Sequence, residues 1–405
     1  MLYIAQKRPQ SEGTDDQRRA YQQIKGLLKR NDAVYCLYQE NGSIFLVEGE
    51  ELIWKGRGFI YEQKAGPAYF AKVKSYLFKR YPYHVSKHTF PEIRRIVKHI
   101  LKEVRFDVIH IHSTMVHNFP DMDRWMEPVI VDYLGAISVS LERRYRWTHQ
   151  FVEKTAIRGE LGRVRKHESF LKECTVNGLV SSHAARRDLA PVTIDTFFVV
   201  PNYVEESFFS CDIKKPKKQA IIFTGPFNRP EYADAATRLV KDIFPLLKAV
   251  YPELQCWLGG ANAPPAVKKL AEMQGVDLIE DPEEVVEKVK EAAVYICPIR
   301  FGFEEKIPVL EAAALGCPVI ISQTANESIG FAHEKHAILA DLDAQIVERT
   351  IAVLENRIKR LLMAGQARIH VYKHYSEKHV INQLVYAYQC VERTIENEQM
   401  ERLNG

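Results

Sequence analysis

Two rhythms alternate along this chain. Short apolar runs rich in Val, Ile, Phe and Tyr recur at 2–5, 33–38, 43–47, 107–112, 128–133, 178–181, 197–200, 220–224, 254–258, 276–280, 294–299 and 317–322. Runs of this length and composition suit strands buried on both faces of a parallel sheet. Between most of them lie longer stretches with apolar residues at helical spacing: about 17–29, within 69–105, on to about 190, from Pro230, 282–291, on to Ala364, and from Glu377. Strands alternating with helices predict an α/β chain with parallel sheets. The pair 33–38 and 43–47, joined through Glu40-Asn41-Gly42, reads as a hairpin.

The clearest unit runs from Val294 to Ser322, as VYICPI, RFGFEEK, IPVLEAAALG and CPVIIS. The outer pieces are strands. Ala, Leu and Glu between them favour helix, which Gly316 and Pro318 end. This is a βαβ unit with a charged loop at a strand's C-terminal end, where open α/β sheets bind ligands. The loop carries Arg300 and Lys306, and Glu311 lies in the following helix. Cations at a helix N-terminus can hold phosphate, and a carboxylate can accept from ribose hydroxyls. Together they are the parts needed to grip a nucleoside diphosphate.

Length allows two or three domains at 405 residues. The Pro-containing run KKPKK at 214–218 reads as a linker. The opening MLYIAQKRPQ lacks a long apolar core, so no secretory leader is expected. No stretch approaches the roughly 18 apolar residues of a membrane span. Seven cysteines are scattered without a Cys-x-x-Cys pair, which suits buried thiols in a reducing cytoplasm. A net charge of +4 implies no partner by itself. The stretch 69–105 is different, holding ten Lys or Arg against Glu92 and Glu103, with aromatics interleaved. It reads as a solvated helical face or as a peripheral contact with anionic lipid on the inner face of a membrane. No nucleic-acid module accompanies it.

Other chemistries find little. A dinucleotide Gly-x-Gly-x-x-Gly, a Walker A lysine and Gly-x-Ser-x-Gly are absent. His110-x-His112 has no third metal ligand placed by motif. Asp121-Met122-Asp123 has the Asp-x-Asp form but follows Asn118-Phe119-Pro120, and reads as a loop or helix cap. No metal and no cofactor are expected.

The 294–322 unit resembles the nucleotide-sugar site of GT-B glycosyltransferases, in the large retaining group with a paired-Glu motif. It is most similar to a bacterial subgroup reading Pro-Leu-Arg-x-Gly-x-Gly-x-Lys, then Val-Leu-Glu-Ala. Pro298, Arg300, Gly302, Lys306, Leu310, Glu311, Ala312, Gly316, Pro318 and Val319 fall in register. Two positions depart. Glu304 replaces the second glycine, and Phe303 replaces the broader group's first glutamate, one position from Glu304.

The resemblance implies two Rossmann-like domains facing a cleft. An acceptor-side domain would cover 1–205, a linker 206–218 and a nucleotide-sugar domain 219–375, with a helix at 376–405 crossing back. It also implies a metal-independent transfer with retention, from a nucleotide sugar, expected to be a UDP-sugar, to a glycan, lipid-linked or protein acceptor. Arg300 and Lys306 would act on the leaving diphosphate, while Arg229, Gly302, Glu304 and Glu311 would bind the donor. His112, ending its strand, would face the donor sugar. Asp132 would end the next strand, and Glu168 would lie in a following helix. Pro201-Asn202-Tyr203-Val204 resembles a turn in which Tyr203 replaces the usual Gly, so a reshaped turn is expected. Arg19 reads either as a phosphate or acceptor contact or as part of a solvated helix start. The rival function is a catalytically silent GT-B protein that binds a partner or an acceptor.

Overall fold

The structure is a computed structural model that describes all residues except 12–13, 41–42, 56–60, 65–80, 87, 89–90, 134, 175–176, 190–195, 213–216, 303–305 and 405. The chain divides into two compact units, one of residues 1–202 with 380–405 and the other of residues 203–379.

The first unit is built on an eight-stranded sheet ordered β4-β3-β2-β1-β5-β6-β7-β8. Its strands are β1 (Leu2–Ile4), β2 (Tyr35–Glu40), β3 (Ser43–Glu48), β4 (Tyr61–Lys64), β5 (Ile109–His112), β6 (Val129–Tyr133), β7 (Gly178–Val180) and β8 (Phe197–Val199). From β2 through β1 to β8 every pairing is parallel, whereas β3 and β4 add an antiparallel edge. The hairpin reading of β2 and β3 holds, with Glu40 opposite Ser43. Helices include α1 (Asp15–Leu28), α2 (Pro91–Glu103), α3 (Ile137–Trp147), α4 (Phe151–Cys174) and α5 (His183–Leu189). The strands' Leu2, Ile4, Leu37, Ile109, Ile111 and Val131 form the buried core. Residues 69–80 and Lys87 of the basic stretch lie outside the described residues.

The second unit has a six-stranded, fully parallel sheet ordered β11-β10-β9-β12-β13-β14. Here β9 is Lys218–Thr224, β10 Gln255–Gly259, β11 Val276–Ile279, β12 Ala292–Cys297, β13 Val319–Ile321 and β14 Ile338–Leu339. Helices α6 (Pro230–Arg238), α7 (Pro282–Glu291), α8 (Ile307–Ala314), α9 (Asp343–Glu355) and α10 (Arg357–Tyr375) belong to this unit. The α10 helix runs past the expected end at Ala364, because Met363, Ala364, Ala367 and Val371 form a buried stripe across Gly365. Packing of that stripe outweighs the roughly 1 kcal/mol cost of a helical glycine. Within the stretch read as a linker, Glu206–Phe209 forms a 3-10 turn, and Phe208 and Phe209 pack on the second unit's core. The final helix, Glu377–Asn404, belongs to the first unit from Val380 onward.

Both sheets share one topological feature. In the second unit the chain runs outward from β9 to β10 and β11, then returns to the other side of β9 as β12. In the first it runs from β1 to β2, β3 and β4, then returns beside β1 as β5. Each reversal opens a switch point at the strands' C-terminal ends, the usual ligand position in such sheets.

Candidate functional site

The loops after β9 and β12 flank the second unit's switch point, and Arg229, Arg300 and Lys306 sit on them. The loop after β9 ends at Arg229, which stands immediately before α6 with Pro230 in the helix's first turn. The loop after β12 ends at Lys306, immediately before α8. The Tyr232 ring joins the two loops. Arg229 Cζ lies 5.8 Å from its centroid and Lys306 Nζ 5.7 Å, distances at which a cation is attracted to a ring face.

Lys306 is only 2% exposed, an unusual state for an ammonium. Its charge also reaches Cys297. Burial pushes that thiol up to about 12, and Lys306 and a backbone hydrogen bond oppose the rise. Gly302 makes room for the lysine. Its φ is +122°, and a Cβ there would come within 3.0 Å of Lys306 Nζ and 3.4 Å of Glu231 Cγ. A side chain at 302 would therefore meet both backbone strain and the lysine. Gly225 is equally constrained, since a Cβ would lie 2.1 Å from the Tyr232 ring.

Two carboxylates missed in the sequence hold the arginines. Arg229 donates to Glu231 Oε1 at 2.5 Å, and the Glu231 side chain is itself buried. Arg300 makes a bidentate pair with Asp234, at 3.0 and 2.5 Å. Glu231 lies in the first turn of α6, where an acid reads as an ordinary partner of a helix dipole, and Asp234 lies one turn on among surface-type residues, so spacing alone gave no sign of this role. Arg238, also on α6, donates to the carbonyl of Pro298 at 2.9 Å, and Ser322 Oγ donates to that of Ile299 at 2.5 Å. These bonds fix the start of the Arg300 loop.

Glu311 lies half-buried on α8. Burial above all, with Cys297 and Glu311 adding, pushes the Tyr295 hydroxyl well up. Glu304, like Phe303, lies outside the described residues.

His112 ends β5 at the first unit's switch point and is buried. Its Nδ1 accepts from the Thr114 amide at 3.4 Å and lies 2.9 Å from Thr114 Oγ1. That assigns the neutral ring's proton to Nε2, which is buried without a hydrogen-bond partner among the described residues. Burial lowers the His112 pKa, against the opposing pull of Asp16 and Asp132. The ring is therefore a neutral donor at pH 7.

His110, its neighbour on the strand, is a core residue. It stacks on Tyr3 at 4.1 Å, and its Nδ1 lies 2.8 Å from the Tyr388 hydroxyl.

Arg19 corrects both sequence readings. Neither solvated nor set toward a ligand, it grips Asp132 with two hydrogen bonds of 2.7 and 2.9 Å and also donates to the Val200 carbonyl. Burial works to raise the Asp132 pKa, yet Arg19 and His110 hold it well below the usual carboxylate range. Glu168 accepts from the amide and hydroxyl of Ser138 at 3.0 and 2.5 Å, tying α4 to the start of α3. Asp121 is bound by Lys98 at 2.6 Å and Arg94 at 3.1 Å. Burial opposes, but those hydrogen bonds bring its pKa down to about 2. Two cations of the basic stretch are thus engaged within their own unit. Tyr203 is buried and absent from the positive-φ residues, so this turn dispenses with the glycine conformation. Among the described residues, no group of three or more His, Cys, Asp or Glu is placed to hold a metal.

Residues 218–356 match the family described as glycosyl transferases group 1, a span of about a third of the chain. No curated protein sequence gives a significant match. Solved structures resemble the chain at low identity. Sucrose-phosphate synthase from Thermosynechococcus elongatus superposes with a TM-score of 0.67 at 14% identity, covering 97% of this chain and 99% of that one. TarM from S. aureus, a variant solved with Fondaparinux, alpha-GlcNAc-glycerol and UDP, gives 0.55 at 11% identity. That match covers 75% of this chain and 59% of TarM's length. A Listeria monocytogenes protein assigned as a UDP-N-acetylglucosamine 2-epimerase also gives 0.55, at 11% identity, covering 95% and 94%. The chain therefore has the GT-B fold, two Rossmann-like α/β units, and its second unit contains the segment that matches the group 1 glycosyl transferase model.

Proposed function

We propose that the chain is a glycosyltransferase taking its sugar from a nucleoside diphosphate donor, a UDP-sugar in the first instance. The observation that carries this reading is the pair of cations Arg229 and Lys306 against Tyr232 at the switch point of the second unit, with Arg300 held by Asp234 on the same helix as Tyr232. Buried and half-buried cations at two helix starts suit a diphosphate. They also suit the charge that grows on it as the sugar leaves. Glu311 accepts from the ribose hydroxyls, and Gly302 lets the backbone approach the phosphates. At the other switch point, His112 donates its Nε2–H to a sugar hydroxyl. We assign the transfer to retention on the resemblance of the 294–322 unit, and to a metal-free reaction because lysine and arginine supply the countercharge. The acceptor is a glycan, a lipid-linked sugar or a protein. The 69–105 stretch would supply a peripheral membrane contact, and of its described cations Arg95, Lys102 and Arg105 are exposed.

The test has two stages. A thermal-shift screen against UDP-, GDP-, ADP- and dTDP-sugars gives the donor, since a ligand that binds only the folded state raises its apparent stability. UDP release is then measured with and without candidate acceptors. Acceptor-dependent release supports transfer. Acceptor-independent conversion of the sugar supports the epimerase chemistry that this fold also accommodates. Donor binding without either reaction favours the catalytically silent reading.

A further inference from the structure

Among the described residues, the corner between α3 and α4 groups the largest exposed apolar side chains of the first unit. Phe151 is 83% exposed, Val152 79% and Trp147 46%, and Tyr145 is exposed beside them. Soluble surfaces rarely present large side chains grouped this way. The charges around the corner are mostly positive, and the acids just outside it, Glu142 and Glu160, are paired with Arg165 and Arg163. From 143 to 158 there are five cations, Arg143, Arg144, Arg146, Lys154 and Arg158, against the single acid Glu153.

Glu153 is itself engaged. Arg144 donates to it at 2.6 and 3.1 Å, bridging the end of α3 to the start of α4. That bridge fixes the corner's shape and leaves the net charge around the apolar tip positive. Lys154 Nζ lies 5.4 Å from the Tyr145 ring centroid, so its ammonium sits beside the tip.

We infer that this corner is a docking tip for an anionic lipid surface, with Phe151 and Val152 entering the acyl boundary and the arginines meeting lipid phosphates. A helix–helix corner is convex, so it can enter a bilayer but offers no groove for a peptide. Trp and Tyr beside a ring of cations are the composition of a membrane interface. No helix among the described residues is long and apolar enough to cross a membrane, so the contact is superficial. This inference is independent of the nucleotide site, which lies in the other unit.

The test uses the full chain and sedimentation with phosphatidylcholine vesicles, with and without phosphatidylglycerol. The wild type should sediment with the anionic vesicles, be released by salt, and shift its Trp emission to the blue. Trp147→Phe should abolish that shift while leaving binding nearly intact. Phe151→Asp with Val152→Asp, and separately Arg146→Glu, should each weaken binding by roughly tenfold or more. Circular dichroism should show both variants folded, because these side chains are exposed. Failure of the wild type to bind anionic vesicles overturns the inference, as does equal binding by the folded variants. Capture of a protein partner through this corner without vesicle binding also overturns it.

Discussion

Lys306 and Asp132 show two ways in which a buried charge is kept. Asp132 is a structural anion. Arg19 forks onto it, Gln23 Nε2 donates at 3.2 Å, and His110 Nε2 lies 3.4 Å away. Removing one side of such a pair leaves the other charge buried, at a cost of about 3–5 kcal/mol. Asp132→Ala should therefore lower the urea midpoint sharply, and a shift within the error of the denaturation curve would contradict the role. Lys306 instead stands at a loop end beside a switch point. Lys306→Ala should depress kcat more than donor affinity, because the diphosphate gains charge as the sugar departs. Steady-state kinetics with varied donor would show it, and a rise in KM alone would assign the lysine to ground-state binding.

Titration belongs to the elements that bury histidines. On α4, His167 Nδ1 lies 2.8 Å from His117 Nε2. Burial, then the neighbouring His117 and His84, brings the His167 pKa down to about 3. Burial and nearby His336 bring His370 on α10 down to about 4. A lowered histidine pKa means that the folded state favours the neutral ring. Its stabilising effect is complete above about pH 6.5 and is lost as pH falls toward the folded pKa. The melting temperature should fall steadily from pH 6.5 toward pH 4, and His167→Gln should flatten that slope. An unchanged slope in the variant would remove α4 from the acid response.

These elements also show where the sequence is legible. Strands with strong Val and Ile runs, such as 294–299 and 317–322, and the capped helix at 282–291 were readable because burial on both faces leaves a continuous apolar run. The two-residue β14, the edge strand β4 and the true end of α10 were not, since their assignment depends on partners distant in sequence. The same holds for side chains. Arg300 and Lys306 announced themselves beside a strand end. Asp234, Glu231 and the burial of Arg19 did not, because acids and arginines in the first half of a helix are ordinary surface residues until the fold supplies a partner.

At the scale of the molecule, each unit has its own switch point, with Arg229, Arg300 and Lys306 on the loops of one and His112 at a strand end of the other. With cations as the countercharge, turnover should survive EDTA. Complete loss that manganese restores would move attention to other carboxylates. The most direct measurement is calorimetric titration of UDP into the full chain without divalent metal, for the wild type and for Glu311→Gln. The account predicts saturable binding at one site, weakened in the variant by about 1.5–3 kcal/mol, which is roughly ten- to 150-fold in Kd. No saturable binding of UDP, GDP, ADP or dTDP, or equal affinity in wild type and variant, would contradict it.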